Sequence, residues 1–181
     1  MRNPEQTQKL YRFEVDQSIR IEQMNKDTII GIANQEQAIT TKVPKRVKRR
    51  LQERYRLQGR PKLFAPQLFA AAIAVSLKHA HFRVHDLVID IEYPGYEREI
   101  MRTIQLLHPS LSIYFTTTGR KSPAHYAAYG AYINKIKVDL FVSTKDILNA
   151  TKNGPRTVTP LDKTRRFAAH IGPSTKHNTH K

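Results

Sequence analysis

Between Pro66 and Ala80 the chain reads PQLFAAAIAVSLKHA, a helix with Pro in its first turn and apolar side chains on nearly every face. A helix of this kind has no side to offer water, so the chain must bury it against a sheet. The strands for that sheet are legible around it. Tyr11 to Asp16 alternates, with Tyr11, Phe13 and Val15 on one face, and Thr28 to Ala33 (TIIGIA) is rich in β-branched residues. Ser18 to Met24 is expected to join them as part of a hairpin, with Asn25, Lys26 and Asp27 as the turn.

Downstream, helices and strands alternate. His85 to Glu92 (HDLVIDIE) is expected as a strand with Leu87, Ile89 and Ile91 facing one way, ended by Pro94 and Gly95. Tyr96 to Leu107 then reads as an amphipathic helix, and Leu111 to Thr117 as a strand closed by Gly119. Ser122 and Pro123 open a helix expected to run to Val138, with Ser as N-cap. Strands separated by helices require crossover connections, hence a partly parallel sheet flanked by helices. With the antiparallel opening, this predicts a mixed three-layer α/β domain over residues 1–148. Residues 149–181, with Gly154, Pro155, Pro160, Gly172 and Pro173 among scattered basic residues, read as a basic flexible tail.

Charge narrows the partner. The 181 residues carry a formal net charge of +16, an excess that attracts polyanions. Much of it is bunched in Lys42 to Lys62, KVPKRVKRRLQERYRLQGRPK, where Glu53 is the sole acid. Val47, Leu51, Arg54 and Tyr55 follow helical spacing, so a short basic helix after Pro44 is expected. A charge run is usually a solvated helix face, but at this density mutual repulsion favours a bound polyanion. Lys45, Arg46, Lys48, Arg49, Arg50, Arg54, Arg56 and Arg60 are therefore candidate nucleic-acid contacts, with Tyr55 available to stack on a base or sugar. There is no cysteine, which excludes disulfides, Cys-based zinc sites and Cys nucleophiles. A polar start without an apolar leader, and no apolar run near the roughly 20 residues a bilayer needs, predict a cytoplasmic protein without membrane contact.

Four side chains are candidates for chemistry. Asp16 ends the apolar strand YRFEV, where a carboxylate holds either a metal or a turn. Asp90 and Glu92 stand two apart on a strand and so share a face. Two acids on a covered face need a partner, either a divalent cation or a nearby Lys or Arg. In GRKSPAH, Gly119 to His125, Lys121 precedes a helix N-terminus that favours an anion, and His125 falls in the first helical turn. There His125 is a metal ligand, a proton shuttle or an ordinary surface histidine. Phosphate-loop, Gly-x-Ser-x-Gly and His-Glu-x-x-His motifs are absent.

Taken together, VDQS around Asp16, VIDIE with Asp90 and Glu92, and SPAH with His125 resemble the ribonuclease H-like superfamily, particularly ribonuclease HII and RuvC-type nucleases. The likeness spans roughly residues 10 to 140 and is one of layout. It implies a ribonuclease H-like mixed sheet in which Asp16, Asp90 and Glu92 hold Mg²⁺ or Mn²⁺, His125 is the last catalytic residue, and the substrate is DNA or RNA. Where ribonuclease HII has Asp-Glu and then Gly-Arg-Gly, this chain has Asp16, Gln17, Ser18 and Ile19, without the glycine-rich element. Glu22 is a further acid downstream. The alternative is a non-catalytic RNA- or DNA-binding module on the same core.

Overall fold

The computed structural model of the protein describes residues 11–117 and 121–152. Six strands form one mixed sheet: β1 (Arg12–Gln17), β2 (Thr28–Ala33), β3 (Ala38–Val43), β4 (Asp86–Asp90), β5 (Ser112–Thr116) and β6 (Leu140–Phe141). Their spatial order is β5-β4-β1-β2-β3-β6. β1, β2 and β3 run antiparallel in succession, β4 and β5 lie parallel to β1 and to each other, and β6 lies parallel to β3. The expected α/β architecture is therefore present, with its parallel part reached by helical crossovers.

Among the described residues, five α-helices flank the sheet: α1 (Lys45–Leu57), α2 (Phe64–His79), α3 (Glu97–Gln105), α4 (Pro123–Tyr132) and α5 (Thr144–Lys152). α2 is buried from Phe64 to Ser76 except at the half-buried Gln67, as its nearly all-round apolar sequence requires. It packs on β2 and β3, and α1, α3 and α5 pack around it. α4 packs instead on β1, β2 and β3. Ser76 of α2 donates to Thr41 at 2.7 Å, whereas Gly31, which pairs with Thr40, lies against α4. Thr40 and Thr41 point to opposite faces, so α4 covers one face of the sheet and α2 with its companions covers the other.

Several boundaries differ from the sequence reading. Ser18–Met24 is an irregular loop, and the third strand of the meander is β3. Its AITTKV has little apolar alternation because Thr40 and Thr41 are buried through hydrogen bonds, Thr40 to the Asp139 carboxylate at 2.8 Å and Thr41 to Ser76. β4 stops at Asp90, so Ile91 is 41% exposed rather than aligned with Leu87 and Ile89. α4 ends at Tyr132, six residues before Val138, where Asn134 takes a left-handed φ of 59° and the Lys135 and Ile136 N–H groups bond the Gly130 carbonyl. The boundary expected after residue 148 falls inside α5, whose Ile147 and Ala150 are buried in the core. Residues 153–181 of the expected tail, and Gly119, lie outside the described residues.

Candidate metal centre

β1 and β4 are parallel neighbours with Val15 in register with Ile89. The next residues, Asp16 and Asp90, therefore lie side by side at the same end of the sheet and on the same face. Glu92 joins them by a turn rather than by strand alternation: its N–H donates to the Asp90 carbonyl at 2.9 Å, which folds the chain back beside the strand end. One carboxylate oxygen from each of Asp16, Asp90 and Glu92 lies within 4.8 Å of the others.

His125 arrives from the helix that covers this face of the sheet. Ser122 caps α4 by accepting the His125 N–H at 3.3 Å, and Pro123 fixes the first helical position. This first turn settles directly on β2 because Gly31 has no side chain. A Cβ there would stand 2.5 Å from the Ala124 carbonyl oxygen and 2.9 Å from the Ala128 nitrogen. Gly31 pairs with Asp16 across the sheet, so the close approach brings His125 Nδ1 to 2.7 Å from Asp16 Oδ2. The other Asp16 oxygen accepts the Gln17 N–H at 2.7 Å.

Electrostatics set the state of these acids. Burial pushes the Asp16 carboxyl above its ordinary range, opposed by the His125 and Gln17 hydrogen bonds and reinforced by Asp90. Glu92 is also raised, first by burial and then by the neighbouring Asp16 and Asp90 charges, against Gln17 and Arg20. Arg20 is the cation the sequence left open as an alternative. Its guanidinium lies 3.5 Å from Glu92 Oε2 and donates to the Glu92 carbonyl at 2.6 Å. Behind it, Gln17 Nε2 donates to the Tyr93 hydroxyl at 3.3 Å, and that hydroxyl donates to Glu22 at 3.3 Å. Glu22 thus steadies Tyr93 and is not one of the three clustered acids.

The donor set fits a hard divalent cation. All three groups offer carboxylate oxygens, the ligands Mg²⁺ and Mn²⁺ prefer. Ligands of one Mg²⁺ at about 2.1 Å stand at most about 4.2 Å apart, so small side-chain adjustments would close the cluster on an ion. The like charges that lift Asp16 and Glu92 are the charges a cation would neutralise.

The four predicted site residues converge; the predicted basic contacts divide. Lys45, Arg46, Arg49, Arg50, Arg54, Arg56 and Arg60 are exposed on α1 and the turn that follows, and Lys121 is exposed just before α4. Arg56 is tied to Glu53 at 2.9 Å. Lys48 is a correction: it is fully buried, and its ammonium donates to the Gln23 carbonyl and the Thr28 hydroxyl, both at 2.9 Å. Tyr55 is likewise buried, with its hydroxyl donating to Gln67 at 2.6 Å, so it presents no ring for stacking. Both follow from Val47, Lys48, Leu51 and Tyr55 forming the inward stripe of α1. Arg20 and Gly31 were missed, although a covered Glu92 calls for a cation and a glycine inside TIIGIA marks a close backbone approach. No family model, curated protein or solved structure matches the chain.

Proposed function

We propose that this chain is a divalent-metal-dependent nuclease with a ribonuclease H-like core, hydrolysing phosphodiester bonds in DNA or RNA. The observation that carries the reading is the convergence of Asp16, Asp90 and Glu92 beside a His125 hydrogen-bonded to the first of them. An antiparallel three-strand meander continued by two parallel strands, with acids at the ends of β1 and β4, supports the core assignment. The net charge of +16 supports a polyanionic substrate.

Asp16, Asp90 and Glu92 would hold Mg²⁺ or Mn²⁺, which when bound supplies charge neutralisation and water activation at a phosphodiester. The chain's own groups do the rest. Arg20 holds Glu92 in place, and Ser122 orients the turn that carries His125. With Asp16 ionised, His125 donates through Nδ1, which leaves Nε2 to exchange a proton with a leaving oxygen. Lys121 and the exposed arginines of α1 attract phosphates.

The second reading, a non-catalytic nucleic-acid-binding module, is favoured by the Arg20–Glu92 pair, which already gives one acid a cationic partner. Cleavage of labelled single strands, duplexes, RNA–DNA hybrids and four-way junctions with Mg²⁺ or Mn²⁺ separates the two. The nuclease reading expects metal-dependent cutting that falls at least about a hundredfold in Asp90→Asn. Salt-sensitive binding to these substrates without cutting by the wild type would leave the binding module.

A further inference from the structure

α4 carries aromatic rings that the fold does not use. Its inner face is small, with Ala124, Ala127, Ala128 and Ala131 buried on the sheet. Its outer side presents Tyr126 at 60% and Tyr129 at 50% exposure. Large rings this open on a helix that gains its packing from alanines contribute little to the core. Tyr129 lies parallel to His125, with an interplanar angle of 4° and centroids 6.1 Å apart, and Tyr126 meets the same imidazole edge-on. The aromatic surface therefore begins at the residue that touches Asp16.

It also leads somewhere. His125, Tyr129 and Tyr132 fall at helical positions i, i+4 and i+7, one continuous stripe. Tyr132, at the far end, lines a polar cavity of about 250 Å³ between α4 and the β3–α1 corner. Lys26, Lys42 and Lys45 line the same cavity. Asp27 neutralises part of this charge, pairing with Lys42 at 2.9 Å and accepting the Lys45 N–H at 2.7 Å. Three ammonium groups against one carboxylate still leave the cavity cationic. From His125 to Tyr132 is about 10 Å along the helix at ~1.5 Å per residue.

We propose that α4 is the guide rail for an unpaired nucleic-acid strand, its bases stacking on Tyr126 and Tyr129 and its phosphates reaching the cavity of Lys26, Lys42 and Lys45. The inference rests on the nucleic-acid part of the reading above and adds a substrate class: a single-stranded segment or the unpaired part of a junction. Phosphate attraction alone accepts any strand, whereas aromatic faces select strands whose bases are unstacked from a partner. Charge complementarity fixes the occupant, because an apolar peptide would find no use for the lysine cavity.

The test uses the full chain as Asp90→Asn, so that cutting does not enter. Binding is measured to a short oligodeoxythymidine, to an equally long strand of abasic sites and to a blunt duplex. The expected order places oligodeoxythymidine tightest. Tyr126→Ala with Tyr129→Ala should weaken that complex about tenfold or more while leaving the abasic complex unchanged, and Phe at both positions should restore it. Lys26→Gln with Lys45→Gln should weaken both single-strand complexes alike and lower the salt dependence of each. Equal, salt-sensitive binding to all three probes, or tyrosine variants that behave as the parent, would overturn the guide rail and leave the nuclease reading standing. No binding to any probe, by the parent or by the wild type, would remove both.

Discussion

Lys48 is a charge placed where a hydrophobic residue would be expected, and its surroundings explain how the fold tolerates it. Its stem packs in the inward stripe of α1, and its ammonium closes the loop between β1 and β2 by binding Gln23 and Thr28. That loop carries Arg20, so a side chain remote from the acids helps hold the cation that steadies Glu92. Burial lowers the Lys48 pKa to about 8. Between that value and the ordinary lysine range the unfolded chain binds the extra proton, so the contribution of Lys48 to stability rises with pH across that window and is lost as pH falls through about 8. Lys48→Met should cost about 1–3 kcal/mol by orphaning the loop acceptors. Urea unfolding at about pH 7.5 and about pH 9.5 should show the wild type gaining on the variant at the higher pH. A pH-independent difference would mean the amine is not the titrating group. Nothing in KRVKRRL separates Lys48 from its neighbours except position on the helix, and only the partner elements reveal which side faces inward. The carboxylates were legible for the opposite reason, since an acid at the end of an apolar strand is conspicuous in any sequence.

Among the elements, α4 decides the geometry of the centre, and its depth is set by Gly31. Gly31→Ala would drive a methyl group into helix backbone, which cannot rotate aside as a side chain would. The expected result is a loss of about 1–3 kcal/mol and an α4 displaced from Asp16, with cleavage reduced more than strand binding. Gly130→Ala is the matched control, because the added carbon meets only the Ile136 side chain. Comparable thermal shifts in the two variants would show that α4 is not wedged on β2. α2, β1, β2, β4, β5 and the starts of α1 and α4 could be read from periodicity and capping. β3 and β6 could not: the first hides buried threonines behind a polar pattern, and the second is two residues long. α5 was hidden by its polar outer face, as Ile147, Ala150 and the half-buried Leu148 alone among its described side chains pack on the core as hydrophobics.

At the scale of the whole molecule, the sheet ends gather like charges whose mutual repulsion the metal-free protein must bear. The raised pKa values of Asp16 and Glu92 mean that the folded state binds protons more tightly than the unfolded chain. Their contribution to stability is therefore full below the ordinary carboxylate range and lost as pH rises through the raised values. Mg²⁺ or Mn²⁺ should raise the melting temperature more at about pH 7.5 than at about pH 5, where protons compete for the same oxygens. In Asp90→Asn the melting temperature should respond less to either ion. A metal response unchanged by that substitution would place the ion elsewhere. The bond between Asp16 and His125 spans 109 residues of chain. During synthesis the first acid emerges early, the second long after it, and the imidazole last of the four. A growing chain thus carries no complete centre until α4 has left the ribosome and closed on the sheet, which would keep the proposed nuclease inert beside the RNA that encodes it.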